Sequence, residues 1–466
     1  MADNDPLILD FRNGRVSEGA DLDEYSMSGL DDYEPANWDD IDLEDAFDLP
    51  PVLPPVRLPE EAELAAQARR SALLADLRAL AGEVRGTTVQ AAAVNPVLLR
   101  LAEETELVER DGEDLAPGED AGWLDDLADG SDALDAWEYV FAVVLDTTLE
   151  EADDSDPVVA PDLELEGHGP ALVTRLFLSR RDGVRITELA DALKDAATVG
   201  LAVEEAGRQW QEWVDAHGDP LRLLLGQLER LGAVNVTDDT ARLEPLGVRA
   251  VRSKLEGDGL FVPVLPAPDK MTPDDLVLVF MHGSDDDLEA ELASWTGSRG
   301  EEQAARELLA YAASGNAGTR TTAIAVVSRL GQAAEPAWRE ALDRAELRCY
   351  AKPQLVTLAG LDPEGTDLPA ELQPERADVA WLIADTFGPF SHFDLGKERF
   401  PFDFAELQRI SGFEKPDEVF EAIARLDHPD AEAVLAMIGK HASDKTTAKA
   451  ARRAAYKAST RRAARR

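Results

Sequence analysis

One cysteine, Cys349, stands in 466 residues, which excludes an internal disulfide and any metal site built from several thiolates. That usage fits a reducing cytosol. Long apolar runs are missing as well. The longest, near Tyr139–Leu145 and Leu276–Met281, fall far short of the ~20 residues that a membrane-spanning helix needs. The first ten residues carry Asp3, Asp5 and Asp10 and no base, so the basic start of a secretory signal is lacking. Glycine-rich phosphate loops, nucleophile elbows and a pair of histidines four apart are absent too. The six histidines (His168, His217, His282, His392, His428, His441) are scattered and read as surface or helix-cap residues. Asp285–Asp287 and Asp153–Asp156 lack the alternation and central glycine of a calcium loop. Cys349 beside Tyr350 reads as a core thiol, not a nucleophile. No catalytic, metal-binding or cofactor-binding residue emerges from this inventory.

Positive charge is scarce except in one place. The chain carries 94 Asp and Glu against 46 Lys and Arg, a formal net charge of −48. Residues 1–60 hold 17 acids against 3 bases. From Lys440 to Arg466 the balance reverses, with ten Lys and Arg and one acid, Asp444. A body this negative repels phosphate, so the middle of the chain is a poor general binder of nucleic acid. Alanine and arginine are heavily used and lysine is not, which fits GC-rich coding; adaptation to high salt is the rival explanation of the acidity.

The length predicts about three domains at ~150 residues each. Residues 1–59 read as a disordered acidic tail ending in a proline-rich linker (Pro50, Pro51, Pro54, Pro55, Pro59), because their apolar content is too thin to offset ordering entropy. They serve either as a solubilising tail or as an acidic-hydrophobic docking motif. Residues 60–150 begin with a helix on Leu64, Ala68, Leu73, Leu77, Leu80 and Val84. A helix near Pro96 follows, and then two short strands about Asp111-Gly112. This is a winged-helix outline. After a linker at 151–169, residues 170–265 repeat it. There Asp219 and Pro220 open a helix lined by Leu221, Leu224, Leu225, Leu228 and Leu231, Gly232 closes it, and a two-stranded wing follows. Residues 271–440 read as helical hairpins of a HEAT-like solenoid, and residues 441–466 as a basic helical tail. The expected fold is therefore mainly α: tandem winged-helix-like modules, then a HEAT-like α-helical solenoid.

Several segments carry a family resemblance: Leu73-Leu74-Ala75-Asp76-Leu77-Arg78-Ala79-Leu80, Leu243 to Arg252 (LEPLGVRAVR), Ala334 to Leu342 (AEPAWREAL), and His428-Pro429-Asp430 leading into Lys449-Ala450-Ala451-Arg452-Arg453-Ala454. Through them the chain resembles a group of uncharacterised actinobacterial proteins over most of residues 60–457. The resemblance implies tandem winged-helix-like modules with a HEAT-like end, and it brings no activity, cofactor or catalytic residue. The plasmid ORF-3-like domain that some members carry is not visible here, and the acidic head lies outside the resemblance.

Three functions follow as expectations. The first is a non-catalytic cytosolic adaptor or scaffold with a protein partner, its contact candidates being the solenoid groove and Phe387, Phe390, Phe393 and Phe400. The second is a nucleic-acid-associated regulator that binds through the tail. Lys445, Lys449, Arg452, Arg453 and Lys457 recur mostly at steps of three and four, which gathers them on one helical face, and Arg461 and Arg462 extend it. The third is an enzyme of an unrecognised class. The tail has two rival uses, as a solvated cap on the solenoid or as an intramolecular contact with the acidic head. Sequence-specific DNA readout by the winged helices is disfavoured. The helix at 220–231 offers only Arg222, Gln227 and Arg230, and the wing tips are acidic.

Overall fold

The computed structural model describes residues 9–10, 15–16, 49–125, 130–149, 161, 163, 165, 167–362, 368–392, 413, 415–442 and 444–465. Most of the stretch expected to be disordered thus lies outside the described residues. Within it, only the antiparallel pair β1 (Leu9–Asp10) and β2 (Arg15–Val16) is described before Leu49. The chain is mainly helical and divides into two compact units: residues 32–265, and residues 266–466 together with 1–31.

The unit spanning 32–265 starts with α1 (Glu61–Ala68) and α2 (Ala72–Gly86). Ser71 caps α2 by accepting the Leu74 N–H, which satisfies one of the orphan donors of the first turn. The predicted apolar stripe Leu73, Leu77, Leu80 and Val84 is buried. Next come β3 (Val89–Gln90), α3 (Pro96–Glu104), β4 (Val108–Asp111) and β5 (Asp114–Pro117). Asn95 caps α3, and Pro96 occupies its first turn, where no intrahelical N–H is needed. Gly112 turns the β4–β5 hairpin at φ +68. After α4 (Gly130–Thr147) and α5 (His168–Leu178), a strand and a later hairpin return, now with three α-helices between them instead of one. The order runs β6 (Val184–Arg185), α6 (Ile186–Ala197), α7 (Val203–His217), α8 (Pro220–Leu231), β7 (Val234–Thr237), β8 (Thr240–Leu243) and α9 (Pro245–Gly257). The sheet orders are β3-β5-β4 and β6-β8-β7, both antiparallel. In each, the first strand pairs with the last and the last with the middle one.

The two repeats are not separate bodies. One apolar core runs from Leu53 to Val262 and includes Leu163 and Leu165, from the range expected to be linker. Trp137 Nε1 donates to Leu231 O at 2.8 Å, and Arg230 pairs with Asp76. The proline-rich stretch also departs from expectation, since part of it is docked and is not a free spacer. Leu53 and Val56 are buried. Leu53 N–H donates to Phe261 O at 2.9 Å, Val56 N–H to Pro263 O at 2.8 Å, and Arg180 Nη2 to Pro55 O at 2.8 Å. Proline has no N–H to give, so Leu53 and Val56 between the prolines supply the donors, while Pro51 O and Pro55 O accept. Trp137→Phe removes a hydrogen bond that joins both repeats; it is expected to cost about 1–2 kcal/mol. Urea unfolding measures this, and an unchanged midpoint would contradict the shared core.

The other unit stacks α10 (Pro273–His282), α11 (Asp285–Arg299), α12 (Glu301–Ser314), α13 (Ala317–Ser328), α14 (Glu335–Ala341), α15 (Ala345–Leu358), α16 (Arg376–Phe387), α17 (Pro416–Ile423), α18 (Ala431–His441) and α19 (Lys445–Arg465). Ser284 with Asp287, and Thr272 with Asp275, form reciprocal caps, the device expected where a helix follows a hairpin turn. Gly331 takes φ +54 in the turn between α13 and α14. Neighbours in sequence pack as pairs: α10 with α11, α12 with α13, α14 with α15. The basic tail is no appendage, because α19 shares one apolar core with α16, α17 and α18.

Candidate functional site

Asp444 begins α19. Its carboxylate accepts the Thr447 N–H at 2.6 Å, and that backbone bond holds it below the usual carboxylate range. The only acid of the tail is thereby committed to a helix start. Alanine then makes the helix, having the best intrinsic propensity and a small profile. Ala450, Ala451, Ala454, Ala455 and Ala458 are buried in one core with α17 and α18, and Ala448 is buried as well. The approach is close: a Cβ placed on Gly439 of α18 would stand 2.6 Å from Arg452 Cγ and 3.1 Å from Arg452 N.

With the alanine face fixed, the bases sort into two groups. Arg453 pairs with Asp417 at 3.0 Å, Lys457 pairs with Glu421, and Arg461 Nη1 donates to Ala424 O at 2.8 Å. These three, four residues apart, line the edge toward α17. Lys457 beside Glu421 holds that carboxyl below its ordinary range. Arg461 meets the carbonyl just past the end of α17, where the helix dipole is negative. Arg462 Nη1 donates to Pro429 O at 3.4 Å. Lys445, Lys449 and Arg452 form the other group. They are exposed and have no ion pair among the described residues. Tyr456 follows at the next step of four on the same face, 76% exposed. From Thr460 to Ala464 every residue is exposed. Exposed ion pairs contribute ~1 kcal/mol or less, so the buried alanines, not the charges, seat the helix.

Two of the four aromatic candidates fall within the described residues. Phe387 and Phe390 are half-buried against the core of this unit; Phe393 and Phe400 lie outside the described residues. In the other unit the polar residues of α8 are already engaged. Arg222 pairs with Asp219 at 3.3 Å, Arg230 Nη1 donates to Gln227 at 2.9 Å, and Arg230 also pairs with Asp76. The β7–β8 turn presents exposed Asp238 and Asp239, and the β4–β5 hairpin exposed Glu109, Asp111 and Glu113. Phosphate is repelled at both.

One buried cluster escaped the sequence reading. Asp385, wholly buried on α16, accepts from four groups. Arg320 of α13 and His428 Nε2 (2.8 Å) share Oδ1, while Tyr350 OH (2.9 Å) and Trp381 Nε1 (3.0 Å) share Oδ2. His428 Nδ1 accepts the Asp430 N–H at 3.0 Å. This bond assigns the ring proton to Nε2, facing Asp385. His428 is buried; of the two places expected for the histidines, surface or helix cap, it is not on the surface, and its bond to the Asp430 N–H lies at the start of α18. Arg320 Nε finds no partner among the described residues. One helical turn pair away, Asp378 accepts from Lys352 at 2.6 Å and Arg348 at 2.7 Å. Burial pushes the Asp378 carboxyl up, but those bonds and the Glu375 N–H outweigh it and hold it below its ordinary range. Burial drives the Cys349 thiol well above its usual pKa, with Asp385 and Asp378 adding to the rise, so it stays protonated and unreactive. Among the described residues no group of three or more His, Cys, Asp or Glu is placed to hold a metal ion, and no helix is long and apolar enough to cross a membrane.

No family model, curated protein or solved structure matches the chain.

Asp385→Ala leaves Arg320 buried without its charge partner, and a loss of about 3–5 kcal/mol is expected. Thermal or urea unfolding reads it, and a loss under 1 kcal/mol would contradict the network. Asp378 adds a pH dependence. Its folded pKa is depressed, so its contribution is complete above about pH 4 and is lost as pH falls through the folded value. The stability gap between wild type and Asp378→Asn should shrink across that window; a gap that widens toward low pH would refute it.

Proposed function

We propose that the protein is a non-catalytic adaptor or scaffold that presents α19 as a rigid basic surface to an anionic partner. The observation that carries this reading is the division of α19 into an alanine face committed to the core and an exposed arc of Lys445, Lys449, Arg452 and Tyr456, without an ion pair among the described residues. A helix seated in this way holds its cations at fixed spacing. Binding then does not have to order them, which lowers the entropic cost of association.

The rest of the chain fits a scaffold. The twice-repeated order of strand, one or three helices, and hairpin, with the last strand central, supports tandem winged-helix-like modules, here serving as architecture or protein contact. The helical pairs of α10–α16 support a HEAT-like stack. On this reading the chain joins the actinobacterial family that it resembles and works in the cytosol.

Retention on immobilised heparin tests the proposal. The full-length protein, in spite of a net charge of −48, should bind at 50 mM NaCl, and the Lys445→Gln/Lys449→Gln/Arg452→Gln variant should pass through. Flow-through of the wild type would overturn it.

A further inference from the structure

Resting on the reading of α19 as a surface for an anionic partner, we infer that this partner is a single strand of nucleic acid, with its phosphodiester backbone on Lys445, Lys449 and Arg452 and a base stacked on Tyr456. Three features lead there. The cations recur at steps of four and three residues, roughly one helical turn or 5.4 Å apart, so they form a line and not a point. A line of charge suits a polymer of phosphates better than a lone carboxylate. The acids along the α17 edge are occupied, Asp417 and Glu421 being held by Arg453 and Lys457, and Asp444 beside Lys445 is bonded to the Thr447 N–H. The third feature is Tyr456, 76% exposed and continuing the cationic line. A protein gains little from leaving an aromatic ring in water, whereas a ring among cations is the platform on which unpaired bases stack. A duplex offers no free base face along its length, and an acidic peptide lacks the regular repeat of charge and ring that a single strand presents at every nucleotide.

The acidic body sets the character of binding. Contact is confined to one helix, so only three to five phosphates are neutralised. For a single strand this gives a salt slope of about −2 to −3.5 in log K against log salt.

Fluorescence anisotropy of full-length protein with labelled dT20 and a 20-base-pair duplex, between 50 and 200 mM NaCl, tests this directly. The wild type should prefer dT20 with that slope. Lys445→Gln/Lys449→Gln/Arg452→Gln should lose at least tenfold. Tyr456→Ala should lose about 5- to 100-fold on dT20 and little on the duplex. Circular dichroism serves as the folding control, since none of these side chains is buried. Retention on heparin without binding to dT20 at 50 mM NaCl would overturn this inference while leaving the anionic-partner reading intact. Equal affinity for duplex and dT20 with Tyr456→Ala neutral, or displacement of dT20 by polyglutamate at equal charge, would overturn it as well.

Discussion

The C-terminal unit depends on hiding one carboxylate. Burying Asp385 and Arg320 together takes two ions out of water at a cost of several kcal/mol each, and only close, fully satisfied geometry repays that. Asp385 has its share of it from four donors on α13, α15, α16 and the turn before α18, while Arg320 Nε finds no partner among the described residues. Removing any donor leaves the others aimed at a site too poor in partners to remain dry. The network thereby selects one arrangement of these helices where an apolar interface alone would tolerate several.

The basic surface inherits that order. His428 ties the turn at 428–430 to Asp385 and, through Nδ1, fixes the entry to α18. On α18, Gly439 allows the close crossing of Arg452, and the alanines of α19 fill the seam that results. A chain of contacts thus links the buried acid, through the 428–430 turn and α18, to the seam that carries α19. The unit spanning 32–265 follows a different economy: its charged groups pair near the surface, as Arg230 does with Asp76 and Arg249 with Glu138, while one continuous apolar core joins two repeats of the same topology.

Much of this was legible in the sequence wherever local rules decide. Asp219-Pro220 with Gly232 marked α8 almost to the residue. The Asp111-Gly112 turn marked the β4–β5 hairpin, and the leucine spacing marked the buried face of α2. In the β7–β8 hairpin the strands run to Thr237 and Thr240, and Asp238 at φ +56 closes a tight bend. What the sequence hid is long-range. Leu53 and Val56 sit among prolines in an acidic stretch, and nothing local announces their pairing with Phe261 and Pro263. Asp378 and Asp385 lie seven residues apart with Trp381 between them, two turns on the same helix face. That spacing places acids on an apolar stripe, and Arg348 and Lys352 are four apart on the facing helix. The signal was present, yet which partners would meet the acids depends on tertiary packing. For α19 the sequence supplied the cationic stripe, and only the fold separated the bases with an ion pair from those without one among the described residues.

The central claim is that α19 is a seated helix with one committed face. Amide hydrogen exchange over residues 447–458, measured at 50 and 500 mM NaCl, tests it most directly. Burial of the alanine face predicts protection close to that of α18 at both salt concentrations, because the seam is apolar. Rapid exchange across the whole segment, or protection present at low salt and gone at high salt, would mean that charge alone holds the helix, and the account would fail.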